Sequence, residues 1–313
     1  MKINQSQPFL GMAEYEAIKV CFENNWITEG PKSKEFSDRL CKLMGCKYGV
    51  FAPNGTLALY LGLRALGIGP GDEVIVPDFT FIASANAVEM VGAKPVFADI
   101  DRDTLHVDIE ECEKLITKHT KAIMPVHIYG AAANMDKIMT FANKYNLKVI
   151  EDAAQALGVY WNKKHCGTFG EVGCFSFFAD KTITTGEGLV QLDKLELLEE
   201  NKLKIFDLYK KNLQGVDGLQ IIVPEDKSNF IPFRIAIIFE KKSDKISEYL
   251  ISKDIETRTF FYPIHKQPCY NTDLVLKNST YVYEHGLCFP AYAELGEKEI
   301  IYICNHIKKA LKL

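Results

Sequence analysis

The sequence predicts an α/β protein in which helices cover both faces of a mostly parallel β-sheet, followed by a smaller α+β region. Two observations predict this. Residues 45–180 alternate short β-rich segments with helical ones, which is the pattern of a layered α/β domain. Several of the β-rich segments are continuous apolar runs, as expected for strands that helices cover on both faces.

We expect six strands and four helices in this first region. The strands are predicted at residues 48–52, 73–76, 95–98, 122–126, 148–150 and 174–177, and the helices at residues 56–66, 82–91, 109–116 and 135–145. The glycine-containing stretch of residues 67–72 follows a helix, whereas a dinucleotide-binding G-x-G-x-x-G loop follows a strand. That stretch therefore predicts a plain turn.

A smaller region follows the first one. Apolar residues recur at helical spacing between residues 189 and 213, and Gly215 is placed to end the helix. Beyond this linking helix we expect strands at residues 233–239 and 257–262 and helices at residues 242–253 and 297–311. We therefore predict a large domain at residues 1–188, with an N-terminal helical segment, and a small domain at residues 189–313.

Composition excludes several classes of function. The chain has 37 Lys and Arg residues and 41 Asp and Glu residues, which gives a net charge of −4. This charge does not favour binding to nucleic acid or to an anionic membrane. The apolar stretch around residues 172–179 is too short to span a bilayer, and the N-terminus lacks the apolar core of a secretion signal. The nine cysteines form no C-x-x-C pair, which favours reduced thiols over metal ligands. We expect a cytoplasmic protein without a metal site.

Three segments at predicted strand ends carry the groups that pyridoxal 5′-phosphate (PLP) needs. Residues 53–56 turn from a strand into a helix, where the N–H groups of Gly55 and Thr56 are placed to bind phosphate. Two carboxylates, Glu151 and Asp152, end an apolar strand, and an acid at this place is suited to the pyridine nitrogen, while Lys181 is suited to a Schiff base with the aldehyde. Taken singly, these segments have ordinary explanations as a capped turn, a solvated strand end and a surface lysine. Together they predict a PLP site.

Longer motifs resemble the DegT/DnrJ/EryC1/StrS sugar aminotransferases, PLP enzymes that act on nucleotide-linked keto sugars. The resemblance is carried by DAAQA at residues 152–156, GTFG at 167–170 and SFFADKTITTGEG at 176–188, and it extends through residues 26–31, 71–81 and 256–268. It implies the PLP-dependent fold type I, with a mostly parallel, seven-stranded sheet. It also implies a homodimer whose active sites are shared between subunits.

The resemblance implies roles for single residues. Lys181 matches the Schiff-base lysine, which is the catalytic residue, and Asp152 matches the partner of the pyridine nitrogen. Gln155 matches the residue beside the ring hydroxyl, and Phe81 matches the aromatic residue that stacks on the pyridine. The phosphate-binding positions are matched by Gly55, Thr56 and Ser176.

Three residues of the C-terminal motif are candidates for the substrate pocket. Tyr262 and His265 flank Pro263 and are equally explained as structural turn residues. Arg258 is suited to a carboxylate or a phosphate, although exposed strand arginines are common.

The motif at residues 181–188 is most similar to that of the GDP-perosamine synthase branch. Lysine at position 181 also separates the chain from the dehydratases of the group, which have histidine there. The resemblance implies transfer of an amino group from L-glutamate to C4 of a GDP-linked 4-keto-6-deoxy sugar, in the synthesis of cell-surface polysaccharide such as O-antigen. UDP- and dTDP-sugar enzymes share much of the motif, so the nucleotide and the sugar stay open.

One departure from the family lies between Gly188 and Leu189. Family members continue after Gly-Glu-Gly with a β-hairpin and a loop of several dozen residues, part of which reaches the cofactor phosphate of the neighbouring subunit. Here Gly188 is followed directly by Leu189. A genuine deletion and a segment of the full protein that this sequence does not include are both open explanations. The departure also keeps open an alternative function, a catalytically impaired relative that binds PLP or a nucleotide sugar without turnover.

Overall fold

A computed structural model describes residues 2–26, 30–184, 188–270 and 272–312. It contains a parallel sheet between helices and, after it in the chain, an antiparallel sheet with helices of its own. This arrangement confirms the predicted α/β fold class. None of the helices among the described residues is long and apolar enough to cross a membrane.

The first region begins with two helices and then alternates strands with helices. Its helices are α1 (Met12–Glu23), α2 (Pro31–Met44), α3 (Gly55–Ala65), α4 (Ala83–Met90), α5 (Ile109–Lys114) and α6 (Met135–Tyr145). Its strands are β1 (Glu73–Pro77), β2 (Lys94–Ala98), β3 (Thr120–Ile123), β4 (Lys148–Asp152), β5 (Tyr160–Trp161), β6 (Lys164–His165) and β7 (Val172–Cys174).

Five of these strands form one parallel sheet in the order β2-β1-β3-β4-β7. Successive residues of a strand point to opposite faces of the sheet, and here both faces are buried. Ile75 and Val149 belong to one apolar core, while Val74 and Ile150 belong to another. This burial on both faces explains why the strands are continuous apolar runs in the sequence.

Most predicted elements of this region form, but two strands begin earlier than predicted and one predicted strand does not form. Helices α3 to α6 and strands β1, β2 and β4 lie where the sequence predicts them, whereas β3 and β7 each begin two residues earlier than predicted. The prediction of a strand at residues 48–52 is wrong, because this segment has no neighbouring strand among the described residues. The described sheet has five strands where the resemblance implies seven.

The C-terminal region packs an antiparallel sheet against helices. The predicted linking helix is interrupted at Lys194, so that two helices form in its place. The helices are α7 (Gly188–Asp193), α8 (Leu195–Leu213), α9 (Asp244–Ile251), α10 (Lys277–His285) and α11 (Glu297–Ala310). The strands are β8 (Leu219–Ile221), β9 (Ile235–Phe239), β10 (Arg258–Thr259) and β11 (Gly286–Phe289), in the order β10-β11-β9-β8. Of these elements, β8, β11 and α10 have no counterpart among the predicted ones.

Residues 227–233, which precede β9, attach the C-terminal region to the large one through backbone hydrogen bonds. The N–H of Ile231 donates to the carbonyl of Gly130 at 3.1 Å, and the N–H of Phe233 donates to the carbonyl of Tyr129 at 3.0 Å. A Cβ at Gly130, which has φ +90°, would lie 1.8 Å from the carbonyl oxygen of Ile231. Only glycine therefore allows the two segments to approach this closely.

Glu151 is a buried carboxylate in β4 that fixes the loop before β7. Its oxygens accept hydrogen bonds from the backbone N–H groups of Gly167 (2.6 Å), Phe169 (2.6 Å) and Gly170 (2.8 Å), and from Nε2 of His127 (3.0 Å). Burial alone raises the pKa of Glu151, but His127 and the N–H donors outweigh burial and hold the pKa below its ordinary value.

We expect Glu151→Gln to destabilise the fold by about 3 kcal/mol, because an amide cannot accept all four bonds. Since the pKa of Glu151 is lowered in the folded state, its contribution is complete above the unfolded pKa of about 4.3 and is lost as pH falls through the folded value. Urea unfolding between pH 3 and 7 measures how the free energy of unfolding depends on pH. Glu240→Gln, at an exposed position, is the control. A free energy of unfolding equal to that of the control variant at pH 7 would contradict the assignment.

Candidate active site

The site lies where the parallel strands end. Because parallel strands all point the same way, the residues that follow β1, β3, β4 and β7 meet at one edge of the sheet. Asp152 ends β4, and Ser176 follows β7 by two residues. Strand β4 pairs with β7 such that Asp152 is opposite Cys174. Two of the predicted cofactor-binding segments are thus neighbours through strand pairing.

The Asp152 carboxylate is buried and held by two donors. The hydroxyl of Ser84, in α4, donates to Oδ2 at 2.7 Å, and the N–H of Ala154 donates to Oδ1 at 3.1 Å. Ser84 also contacts the hydroxyl of Thr80 at 3.2 Å. Sequence analysis did not identify Ser84. The available signal is a second hydroxyl residue close in sequence, Thr80, which precedes α4.

A row of aromatic rings connects Gln155 with Phe81. The side-chain oxygen of Gln155 accepts a hydrogen bond from the N–H of Tyr129 at 2.9 Å. The ring of Tyr129 stacks on Phe261 at 5.6 Å and 14°, and the edge of Phe261 meets Phe81 at 6.3 Å. Phe81 itself is 57% exposed, so its ring is available to stack on a planar ligand.

The predicted phosphate-binding residues lie at the start of α3. Asn54 caps this helix by accepting a hydrogen bond from the N–H of Leu57 at 2.9 Å. A Cβ at Gly55 would lie 3.2 Å from Cβ of Ser176, so glycine keeps the helix end close to β7. Gly55, Thr56 and Ser176 are thereby brought to one place, with the positive end of the helix dipole beside the Ser176 hydroxyl.

Lys181 follows β7 and lies in a mostly buried position. Its Nζ is 4.8 Å from the centre of the Phe233 ring. Burial lowers the pKa of Lys181, and this effect outweighs the opposing effect of the Asp180 and Asp152 carboxylates, while Arg234 lowers the pKa further. Arg234 is paired with Asp180 at 3.0 Å. A lysine with a lowered pKa supplies the neutral amine that attacks a carbonyl.

The site residues are divided between two cavities. Lys181 lines a small one of about 30 Å³, which Arg234 and Phe233 also line. Gly55 and Ser176 line a much larger groove of about 1220 Å³, whose lining does not include Lys181.

The three substrate candidates differ in accessibility. Tyr262 is 41% exposed and packs edge-on against Tyr283. Arg258 is exposed and lies 4.0 Å from the Asp180 carboxylate. His265 is only 1% exposed: its Nδ1 donates to Asp78 Oδ2 at 2.7 Å, and its Nε2 has no partner among the described residues. The structure thus gives Tyr262 and Arg258 access to a ligand and places His265 in a buried network.

The chemical groups of these residues fit those of PLP. A buried acid with fixed orientation, an amine with a lowered pKa, a helix end with a glycine and a hydroxyl, and an exposed ring are the groups that the cofactor requires. They come from the segments that follow β1, β4 and β7 and from the start of α3. Among the described residues, no cluster of three or more His, Cys, Asp or Glu side chains is placed to hold a metal ion.

Comparison with known proteins gives consistent matches. The model of the DegT/DnrJ/EryC1/StrS aminotransferase family matches residues 9–190 and 188–308, in two parts. The chain is 33% identical to the GDP-perosamine synthase of Escherichia coli O157:H7 over 358 aligned positions, which cover 97% of each chain. It is 32% identical to the GDP-perosamine synthase of Vibrio cholerae over 361 positions, which cover 96% of this chain and 97% of that one.

The fold is also that of a solved structure. A protein described as a sugar aminotransferase, Spr1654 of Streptococcus pneumoniae in its PLP form, superposes with a TM-score of 0.94 at 24% identity. The superposition covers 100% of this chain and 99% of that one. At this identity the likeness concerns the fold, which is that of PLP-dependent sugar aminotransferases.

We expect Lys181 to react with amine reagents at a lower pH than an ordinary lysine, because its neutral fraction rises as pH passes through a lowered pKa. Competitive acetylation at pH 7 to 11, read by mass spectrometry of the peptides, gives the midpoint. The exposed Lys118 is the reference in the same digest. The midpoint for Lys181 should lie below about 10.4, the value of a free side chain. A midpoint at or above that value would contradict the burial effect.

Proposed function

The chain belongs to the DegT/DnrJ/EryC1/StrS aminotransferase family, and we propose that it transfers an amino group from L-glutamate to C4 of a GDP-linked 4-keto-6-deoxy sugar. The observation that supports this substrate is the full-length similarity to GDP-perosamine synthases of two bacteria. The product would enter the synthesis of a cell-surface polysaccharide such as O-antigen. The same proposal includes a cytoplasmic homodimer with active sites shared between subunits.

The residues of the sheet edge would hold PLP in a defined way. We propose that Lys181 binds it covalently, that Asp152 pairs with its pyridine nitrogen and that Phe81 stacks on its ring, with Gln155 beside the ring hydroxyl. The phosphate would be bound by Gly55, Thr56 and Ser176. When bound, PLP supplies an electron sink for the carbon from which a proton is removed.

The chain's own groups then carry out orientation and proton transfer. Ser84 and the N–H of Ala154 keep the Asp152 carboxylate in one orientation, so that its charge faces the pyridine nitrogen without rearrangement. The lowered pKa of Lys181 leaves its Nζ neutral in a larger fraction of molecules. Nζ would then accept the proton from the α-carbon of glutamate and deliver it to C4′ of the cofactor within the same half-reaction, and in the second half-reaction it would move a proton from C4′ to C4 of the sugar. Tyr262 and Arg258 are the accessible candidates for contacts with the sugar nucleotide.

One observation favours a second candidate function. The alignment with the Escherichia coli enzyme spans 358 positions, whereas this chain has 313 residues, so at least 45 aligned positions have no counterpart here. The two parts of the family match meet at residues 188–190. A chain without this segment would bind PLP or a nucleotide sugar and yet fail to complete turnover.

Reconstitution with PLP, read by the visible spectrum, is the first test. We expect a visible absorption band that Lys181→Ala abolishes and Lys118→Ala keeps, because Lys181 lies in mostly buried surroundings at the candidate site whereas Lys118 is exposed. An unchanged band in Lys181→Ala would show that another group binds the cofactor.

A panel of GDP-, UDP- and dTDP-linked 4-keto-6-deoxy sugars with glutamate, analysed by product mass, tests the reaction itself. We expect the GDP-linked substrate to be aminated, and Lys181→Ala to reduce turnover at least about 10²-fold because it removes the acid–base group. Amination of only a UDP- or dTDP-linked sugar would show that the proposed GDP-linked substrate is wrong. PLP binding without any amination would favour the impaired relative.

A further inference from the structure

Two cysteines meet where helix α2 ends. Cys41 belongs to the last turn of the helix, and Cys46 is the second residue after its last one, Met44. Gly45, between them, has φ +71° and ψ 27°, the left-handed conformation that commonly ends a helix. The N–H groups of Gly45 and Cys46 both donate to the carbonyl of Cys41, that of Cys46 at 3.0 Å. This is a Schellman-type ending, in which the side chains of two residues five positions apart come into contact.

The separation of the two cysteines suits a disulfide. With N of Cys46 3.0 Å from the carbonyl oxygen of Cys41, standard bond lengths keep the two Cα atoms within about 6.9 Å, and less because the connecting atoms are not in line. Disulfides join residues whose Cα atoms are about 4.4–6.8 Å apart. The pair therefore needs little or no movement of the backbone to form the bond.

Both sulfur atoms lie against the same short piece of backbone. Sγ of Cys46 is 3.7 Å from the carbonyl oxygen of Tyr48, and a Cβ at Gly49 would lie 3.1 Å from Sγ of Cys41. Burial raises the pKa of the Cys46 thiol, and the Cys41 thiol raises it further, which is the effect of a close neighbour of the same kind. The contacts and the electrostatic effect thus agree that the two thiols are adjacent.

A small molecule can reach the pair. Cys41 and Cys46 are half-buried, and both line the groove of about 1220 Å³ that Gly55 and Ser176 also line. The other cysteines that are not buried are Cys21 and Cys269. Five cysteines are buried, at positions 112, 166, 174, 288 and 304. Burial raises the pKa of the thiol at position 174 to about 12, which leaves very little of the reactive thiolate. Thiol chemistry is thus directed to the groove.

A bond between these cysteines would close a loop of only six residues, 41–46. A short loop restricts the unfolded chain little, so the bond would add little to the stability of the fold. Such a bond is opened again by exchange with a thiol, and disulfides of reducing compartments are usually transient ones of this kind. The geometry therefore suits a reversible site and not a structural bridge.

We propose that Cys41 and Cys46 are a redox-active pair that forms a reversible disulfide by exchange with a small-molecule disulfide such as oxidised glutathione. One thiolate of the pair attacks a sulfur of the glutathione disulfide, which forms a mixed disulfide and releases one glutathione. The other thiolate attacks the protein sulfur of the mixed disulfide, which closes the bond between the cysteines and releases the second glutathione. Two electrons pass from the pair to glutathione, and the two thiol protons pass through solvent to the released thiolates.

The bond would tie the start of the segment that leads to Asn54 and Gly55 to the end of α2. The inference concerns two thiols and needs neither PLP nor substrate, so its failure would leave the proposed function untouched.

The sequence allows mass spectrometry to detect the bond directly. Trypsin cleaves after Lys42, between the two cysteines, so the bond joins peptide 40–42 to peptide 43–47. After treatment with oxidised glutathione at pH 9 and alkylation of the remaining thiols, we expect this linked pair at least tenfold above any linkage to peptide 20–32, with Cys21, or peptide 267–277, with Cys269. A linked pair that does not form, or that forms less than a linkage to Cys21 or Cys269, would overturn the inference.

Serine variants separate the two steps of the exchange. Cys41→Ser and Cys46→Ser each remove one thiol of the pair, so the remaining cysteine should keep glutathione as a mixed disulfide, at least tenfold above its level in the unchanged chain. Cys21→Ser is the matched control in the same groove and should still give the linked pair. Levels of mixed disulfide equal to that of the unchanged chain in both variants would contradict the exchange.

Variants of Gly45 test whether the turn holds the thiols together. An added Cβ at this position meets no atom within 4 Å, so a substitution there acts through the backbone. Asparagine tolerates the left-handed conformation, whereas valine strongly disfavours it. Gly45→Val should therefore slow formation of the linked pair at least fivefold and Gly45→Asn should not, with circular dichroism to verify that both variants are folded. Equal rates in the two folded variants would overturn the inference.

Discussion

The site depends on one strand, β4, and on its two terminal carboxylates. Consecutive strand residues face opposite sides, and here both carry a charge into the interior. Glu151 binds three N–H groups of the loop before β7, and Asp152 is held by Ser84 from α4. The Glu151 carboxylate positions the segment that leads to Ser176 and Lys181. This segment runs toward the Asp152 carboxylate. The structural carboxylate and the one that we propose for the cofactor are thus neighbours in the chain that face opposite sides of the sheet.

The charges around Lys181 are of both signs: Asp180 and Asp152 raise its pKa and Arg234 lowers it. Arg234 is nearly buried and pairs with Asp180, the residue before the lysine. Lys202 is buried in the same small cavity, where it donates to the carbonyls of Pro232 and Ala291, and burial lowers its pKa to about 8. Positive charges near an amine disfavour its protonation. The C-terminal region therefore lowers the pKa of Lys181 through Arg234, although the lysine itself belongs to the large region.

The segments that form the candidate site could be proposed because strand ends, glycines and a lysine after an apolar strand are visible in the sequence. Residues 48–52 show the limit of such patterns: they have the composition of a strand, but a strand also requires a neighbour, and the neighbour is not among the described residues. Ser84 was missed because its role depends on the packing of α4 against β4. His265 lies in a motif that indicates function, yet its burial with Asp78 is a property of the three-dimensional structure alone.

The backbone connection between Gly130 and Ile231 has a consequence for motion. The C-terminal region cannot swing away from the sheet edge as a rigid lid without breaking the two hydrogen bonds of this crossing and exposing Ile231, which is fully buried. Phe233 and Arg234 follow directly in the chain, so the surroundings of Lys181 are anchored by the same connection. The movements that leave this connection intact are local ones of exposed side chains, such as Phe81 and Tyr262, which belong to the fast time scale of rotamer changes.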